Sequence, residues 1–94
     1  MEKIKEEEIK KLIEPLKGWY YESGSIKKKF KTKGFAETMG MVSAIGALCQ
    51  QLDHHPDYLY IKYAEIEASF STHTAGGITE KDIEAAKQIN GLFV

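Results

Sequence analysis

An α+β fold, a four-stranded antiparallel sheet with helices packed on one face, is predicted by three features of the sequence. Short alternating or aromatic runs occur in two pairs at hairpin spacing, and three stretches carry apolar residues at helical intervals. The two kinds of segment interleave in the order helix-strand-strand-helix-strand-strand-helix, which segregates helices to one side of an antiparallel sheet. Ninety-four residues suffice for one hydrophobic core and not for two, so residues 1–94 read as a single domain.

From Lys5 to Glu14 apolar Ile9, Leu12, Ile13 and Leu16 recur among Glu and Lys, an amphipathic helix that Pro15 and Gly18 end. Trp19 to Glu22 and Ile26 to Lys31 read as a hairpin turning at Ser23-Gly24-Ser25. In its second strand Ile26, Lys28 and Phe30 share one face, and Lys27, Lys29 and Lys31 share the other, which reads either as a docking surface for an anion or, the ordinary case, as a solvated face whose charge opposes edge aggregation. Gly34 to Leu52 is the longest helical pattern, with Phe35, Met39, Val42, Ile45, Cys49 and Leu52 as its core stripe. Beside it run small residues, Ala36, Gly40, Ser43 and Ala47, which predict close packing, with the sheet of the same subunit as the expected neighbour.

This helix must stop before Pro56, because the residue preceding proline is pushed out of the α region. His54 and His55 therefore fall at its C-terminus. Tyr58 to Tyr63 and Glu65 to Thr72 form the second strand pair; in the latter Ile66, Ala68 and Phe70 alternate with polar residues, which puts His73 at a strand end. Thr74-Ala75-Gly76-Gly77 is a loop. Thr79-Glu80-Lys81-Asp82 resembles a capping box that opens a last helix carrying Ile83, Ala86 and Ile89, with Gly91 marking its end.

Thirteen basic and fourteen acidic residues leave a net charge of −1, so the basic excess of a protein that binds nucleic acid through its phosphates is missing. No run approaches the roughly 18 apolar residues of a membrane span, and the N-terminal MEKIKEEEIKKLIE is too charged for a signal peptide. With one cysteine, Cys49, an internal disulfide is impossible and a cytoplasmic setting is expected.

All three histidines lie between His54 and His73. A histidine that caps a helix or fills a turn is the ordinary case, but three in one region beside Pro56 and Gly76-Gly77 point to a site. Zinc binding is disfavoured: no cysteine lies near, adjacent residues such as His54 and His55 rarely aim both rings at one ion, and no HExxH spacing is present. General acid and base catalysis on a small polar ring fits better, because imidazole can donate and accept protons near neutral pH without metal or cofactor. Cys49 falls in predicted core and no serine sits in a nucleophile elbow, so covalent catalysis fits less well.

The run Asp53-His54-His55-Pro56, followed at fixed intervals by Tyr63, His73 and Asp82, resembles the signature of the pterin-4a-carbinolamine dehydratases. Gly18-Trp19, Ile26, Lys28, Phe30, Phe35 and the stretch from Ser71 to Thr79 extend the similarity to nearly the whole chain. The resemblance implies dehydration of 4a-hydroxytetrahydropterin to quinonoid dihydropterin, no cofactor, and a dimer or tetramer. It makes His54 and His73 the acid/base pair and His55 the residue that orients the pterin. Asp53 and Ser71, Thr72, His73 and Thr74 would line the pocket. Asp82 serves as capping residue at least as readily as substrate contact. Where the family carries a charged residue, usually glutamate, this chain has Gln50, one turn before His54 and in predicted reach of its ring. The resemblance also implies two alternatives, a dimerisation cofactor or coactivator that binds a protein partner through helix surfaces such as the small-residue stripe or an exposed Met41, and a pterin-handling role in molybdenum-cofactor metabolism.

Overall fold

A computed structural model describes residues 2–93. The helices are α1 (Glu6–Ile13), α2 (Phe35–Leu52) and α3 (Glu80–Leu92); the strands are β1 (Tyr20–Glu22), β2 (Ser25–Lys31), β3 (Tyr58–Lys62) and β4 (Glu65–Phe70). The strands form one antiparallel sheet in the order β1-β2-β4-β3, and a single 3-10 turn, His73–Ala75, follows β4. The predicted class and element order hold. Among the described residues, no helix is long and apolar enough to cross a membrane.

Period-two alternation sets the faces of the sheet. Ile26 and Phe30 of β2 lie opposite Phe70 and Ile66 of β4, and these side chains are buried beneath the helices with Ile45 and Cys49 of α2 and Ala85, Ala86 and Ile89 of α3. The opposite face carries Lys27, Lys29 and Lys31 across from Ser69, Glu67 and Glu65. The first hairpin is tighter than expected. Ser25 already belongs to β2, and the turn is Ser23-Gly24, with φ of 51° and 82°, the left-handed pair that a two-residue hairpin favours.

Several boundaries move. The second hairpin strands end at Lys62 and Phe70, so Tyr63 and Ser71 to Thr72 lie beyond them; Thr72 instead bridges Gly77. Helix α3 runs through Gly91 to Leu92.

The larger correction concerns α2. Its buried line is Thr38, Ile45 and Cys49, whereas Phe35 and Met39 are 55% and 39% exposed. At 100° per residue Met39 is turned a quarter circle from Thr38, and Ala36, Gly40, Ser43 and Ala47 fall on the side diametrically opposite that line. The small residues therefore face solvent and not the sheet, and a Cβ added at Gly40 would meet no atom within 4 Å. Met41 is half-buried and packs on the core, so it is not the exposed contact expected of it. Leu12 is also partly exposed. Thr38 can occupy the core because its hydroxyl lies 3.0 Å from Gly34 O, 2.8 Å from Tyr63 O and 2.6 Å from Thr32 Oγ1.

Phe70, fully buried, joins the core to the histidine region: its ring lies 6.0 Å from Trp19 and 6.1 Å from His54. Replacing Phe70 with Ala is expected to lower unfolding free energy by about 3–5 kcal/mol, measured by urea denaturation.

Candidate active site

Helix α2 ends by a backbone device. Asp53 is left-handed at φ 54° and ψ 42°, its N–H donates to Gln50 O at 3.2 Å, and His54 N–H reaches back to Cys49 O at 3.1 Å. This is a Schellman ending, with aspartate where glycine is usual. It reverses the chain so that the His54 ring turns inward. The Asp53 side chain itself is exposed.

His54 Nε2 lies 2.6 Å from Asp82 Oδ1, with side-chain exposures of 10% and 0%. Asp82 is the N3 residue of the predicted capping box, and its Oδ2 accepts from Thr79 N–H at 2.9 Å and from the Thr72 hydroxyl at 2.8 Å. Capping and contact with the histidine are thus both performed, by different oxygens. With Thr72 donating to Asp82, Thr79 donates to Thr72 Oγ1 across 2.8 Å. An acceptor carboxylate at Oδ1 calls for N–H at His54 Nε2, which leaves Nδ1 as the acceptor nitrogen of that ring.

His73 stands on a second aspartate. Its Nε2 lies 3.3 Å from Asp57 Oδ1, with the imidazole 85% exposed and the carboxylate 16%. Asp57 Oδ2 accepts from Ser25 and Ser69 at 2.9 Å each, and Oδ1 accepts from Ser71. Burial acts to raise the Asp57 pKa, but the hydroxyls of Ser71, Ser69 and Ser25 and the adjacent His73 outweigh it and hold the carboxyl below its ordinary value. Asp57 is absent from the residues expected at this site. An aspartate after proline reads as a turn former, and the available signal was its position between the histidine pair and a strand.

Gln50 makes its hydrogen bond to His55 and not to His54. Its Oε1 lies 3.1 Å from His55 Nε2, because the left-handed Asp53 swings His54 toward α3 and leaves His55 over the helix end. The carboxylate serving His54 comes from Asp82 on α3. Pro56 is half-buried between the histidines and Asp57; Ser71 and Thr72 bind the two aspartates, and Thr74 is exposed in the 3-10 turn. Tyr63 lies elsewhere, stacked on Phe35 at 6.2 Å beside the start of α2. A cleft of about 90 Å³ is lined by Leu52, His54, Lys81 and Glu84; neither His55 nor His73 lines it. Each imidazole has a different partner: Asp82 hydrogen-bonds His54, Gln50 hydrogen-bonds His55, and Asp57 stands at ion-pair distance from His73. Among the described residues, no group of three or more His, Cys, Asp or Glu side chains is placed to hold a metal ion.

Residues 2–92 match the family described as pterin 4 alpha carbinolamine dehydratase. A Sulfolobus acidocaldarius protein provisionally named pterin-4-alpha-carbinolamine dehydratase is 44% identical over 90 residues, covering 96% of this chain and 98% of that protein. An Aquifex aeolicus protein of the same provisional name is 42% identical, with 96% and 90% covered. A crystal structure titled transcriptional coactivator/pterin dehydratase, from Brucella melitensis, superposes with TM-score 0.89 at 28% identity, covering 96% of this chain and 97% of that one. A pterin dehydratase-like RuBisCO assembly factor of the alpha-carboxysome, 18% identical with TM-score 0.66 and covering 79% of this chain and 84% of its own, shares the fold.

The Asp57 pKa is lowered by folding, so its ionised form contributes stability that is present above the ordinary carboxylate pKa of about 4 and lost as pH falls through the lowered value. Wild type should therefore be more stable than Asp57→Asn at pH 7, and the difference should shrink in acid below that pKa. Thermal unfolding of both proteins across pH measures it.

Proposed function

Because the chain belongs to the pterin 4 alpha carbinolamine dehydratase family, we propose that it removes water from 4a-hydroxytetrahydropterin to give quinonoid dihydropterin, the recycling step after aromatic amino-acid hydroxylation. The observation that carries this reading is the extent of the family match, residues 2–92, which contains all three histidines and both of the aspartates that hold two of them.

In a carbinolamine the hydroxyl and a nitrogen share one carbon. The C–O bond breaks as the oxygen takes a proton and departs as water, the nitrogen loses its proton, and its electron pair forms the C=N bond. One general acid and one general base suffice, and no cofactor is consumed. His54 and His73 fill these roles. Asp82 supports the assignment by holding His54 with Nδ1 free to exchange a proton. His55, steadied by Gln50, orients the ring, and Asp53 with residues Ser71 to Thr74 lines its edge. The cleft beside His54 is small against the roughly 300 Å³ of common ligand pockets, so the bound ring would extend over the surface beyond it.

A second reading, partnering through α2, is favoured by the bare face formed by Ala36, Gly40, Ser43 and Ala47. On this reading that face joins copies of the chain in a dimer or tetramer, or receives another protein.

Spectrophotometric decay of 4a-hydroxytetrahydropterin tests the dehydratase. Turnover should exceed the buffer rate and fall by a factor of about 100 or more in His54→Ala and in His73→Ala. A wild-type rate equal to buffer, or full activity in His73→Ala, would reject it. For the second reading, a Cβ at position 40 meets no atom within 4 Å and the residue is exposed, so Gly40→Leu should keep the fold; sedimentation velocity is expected to show a smaller assembly than wild type.

A further inference from the structure

We infer that Asp57 is a positioning residue for the reaction: its carboxylate takes hold of His73 through Nε2, so that Nδ1 is the nitrogen that ring offers to the substrate. The inference rests on the dehydratase reading and adds a residue to its machinery.

A carboxylate has about four lone-pair positions. Ser25 and Ser69 occupy the two on Oδ2, and Ser71 takes one on Oδ1. His73 Nε2 lies 3.3 Å from Oδ1, at ion-pair distance from the oxygen that carries the fewer hydroxyls. The main chain is held as well, since Asp57 N–H donates to Ser69 O at 2.7 Å. Asp57 is therefore locked to β2 and β4 before it meets the histidine.

His73 is in the opposite condition. Its side chain is 85% exposed and sits on a single 3-10 turn, where an imidazole left to itself would sample several rotamers and both tautomers. An exposed ion pair contributes little to stability, because two solvated groups must be ordered to make it. A half-buried carboxylate braced by three hydroxyls and aimed at such a ring does more for the ring than for the fold. The arrangement at His54 has the same form: Asp82 is braced at Oδ2 by Thr72 and the Thr79 N–H, and presents Oδ1 to an imidazole Nε2. In both rings Nε2 is the nitrogen beside a braced carboxylate, hydrogen-bonded at His54 and at ion-pair distance at His73, which leaves each its Nδ1 for proton transfer.

The test uses wild type, D57N, D57E, H73A and the double variant D57N/H73A, with dehydratase kinetics and 15N spectra of labelled histidine. D57N should lower kcat about ten- to a hundredfold with KM little changed, and D57E should recover part of that loss. The double variant should be no slower than H73A, because Asp57 acts only through His73. Neutral His73 should carry its proton on Nε2 in wild type and on a mixture of nitrogens in D57N. Full kcat in D57N, additive losses in the double variant, or an Nδ1-protonated neutral His73 in wild type would each overturn the inference. The wild-type spectrum decides the pairing even should D57N not fold. A wild-type rate equal to buffer would reject the dehydratase reading instead, and the tautomer would still report whether Asp57 holds His73.

Discussion

The constraint on which this region depends is the burial of one carboxylate. Asp82 is completely enclosed, and a buried charge is tolerated only when its lone pairs are met. Thr79 N–H, the Thr72 hydroxyl and the His54 ring meet them, and these groups come from the start of α3, the segment after β4 and the end of α2. One side chain therefore begins a helix, anchors the strand exit and sets the direction of an imidazole. Removing any contributor leaves a polar group unpaired in the interior, which commonly costs 1–3 kcal/mol.

The two histidine–aspartate pairs differ in setting while sharing a design. Asp82 is enclosed and His54 packs on Phe70 at the edge of a small cleft, whereas His73 and Asp57 stand at the surface above a platform of serines. In both, the acidic side chain is braced by other donors, three hydroxyls at Asp57 and a hydroxyl with a backbone N–H at Asp82. His55, tied to an uncharged Gln50 at the helix end, belongs to neither pair.

Fold class, element order, the hairpins and the capping box at Thr79 were legible because each is written in local periodicity or local turn chemistry. The family signature was legible because its residues are separated by fixed intervals. The orientation of α2 was not: a sequence rich in Met, Ala, Gly and Ile presents more than one apolar line, and hydrophobicity favours Phe35 and Met39 over Thr38. Thr38 takes the core because three oxygens from the segments before α2 and after β3 converge on its hydroxyl, which no periodicity announces.

The chain by itself determined that two histidines would follow the end of a helix and the third would follow a strand, since Pro56 and the alternation of β4 impose those positions. Only the tertiary structure decided which carboxylate serves which ring. One left-handed residue, Asp53, turns His54 from Gln50 to Asp82, and Asp57 meets His73 because β3 begins beside the end of β4. Such pairings join residues 28 and 16 positions apart along the chain, and contact at that separation follows from register and helix packing, which are properties of the assembled fold.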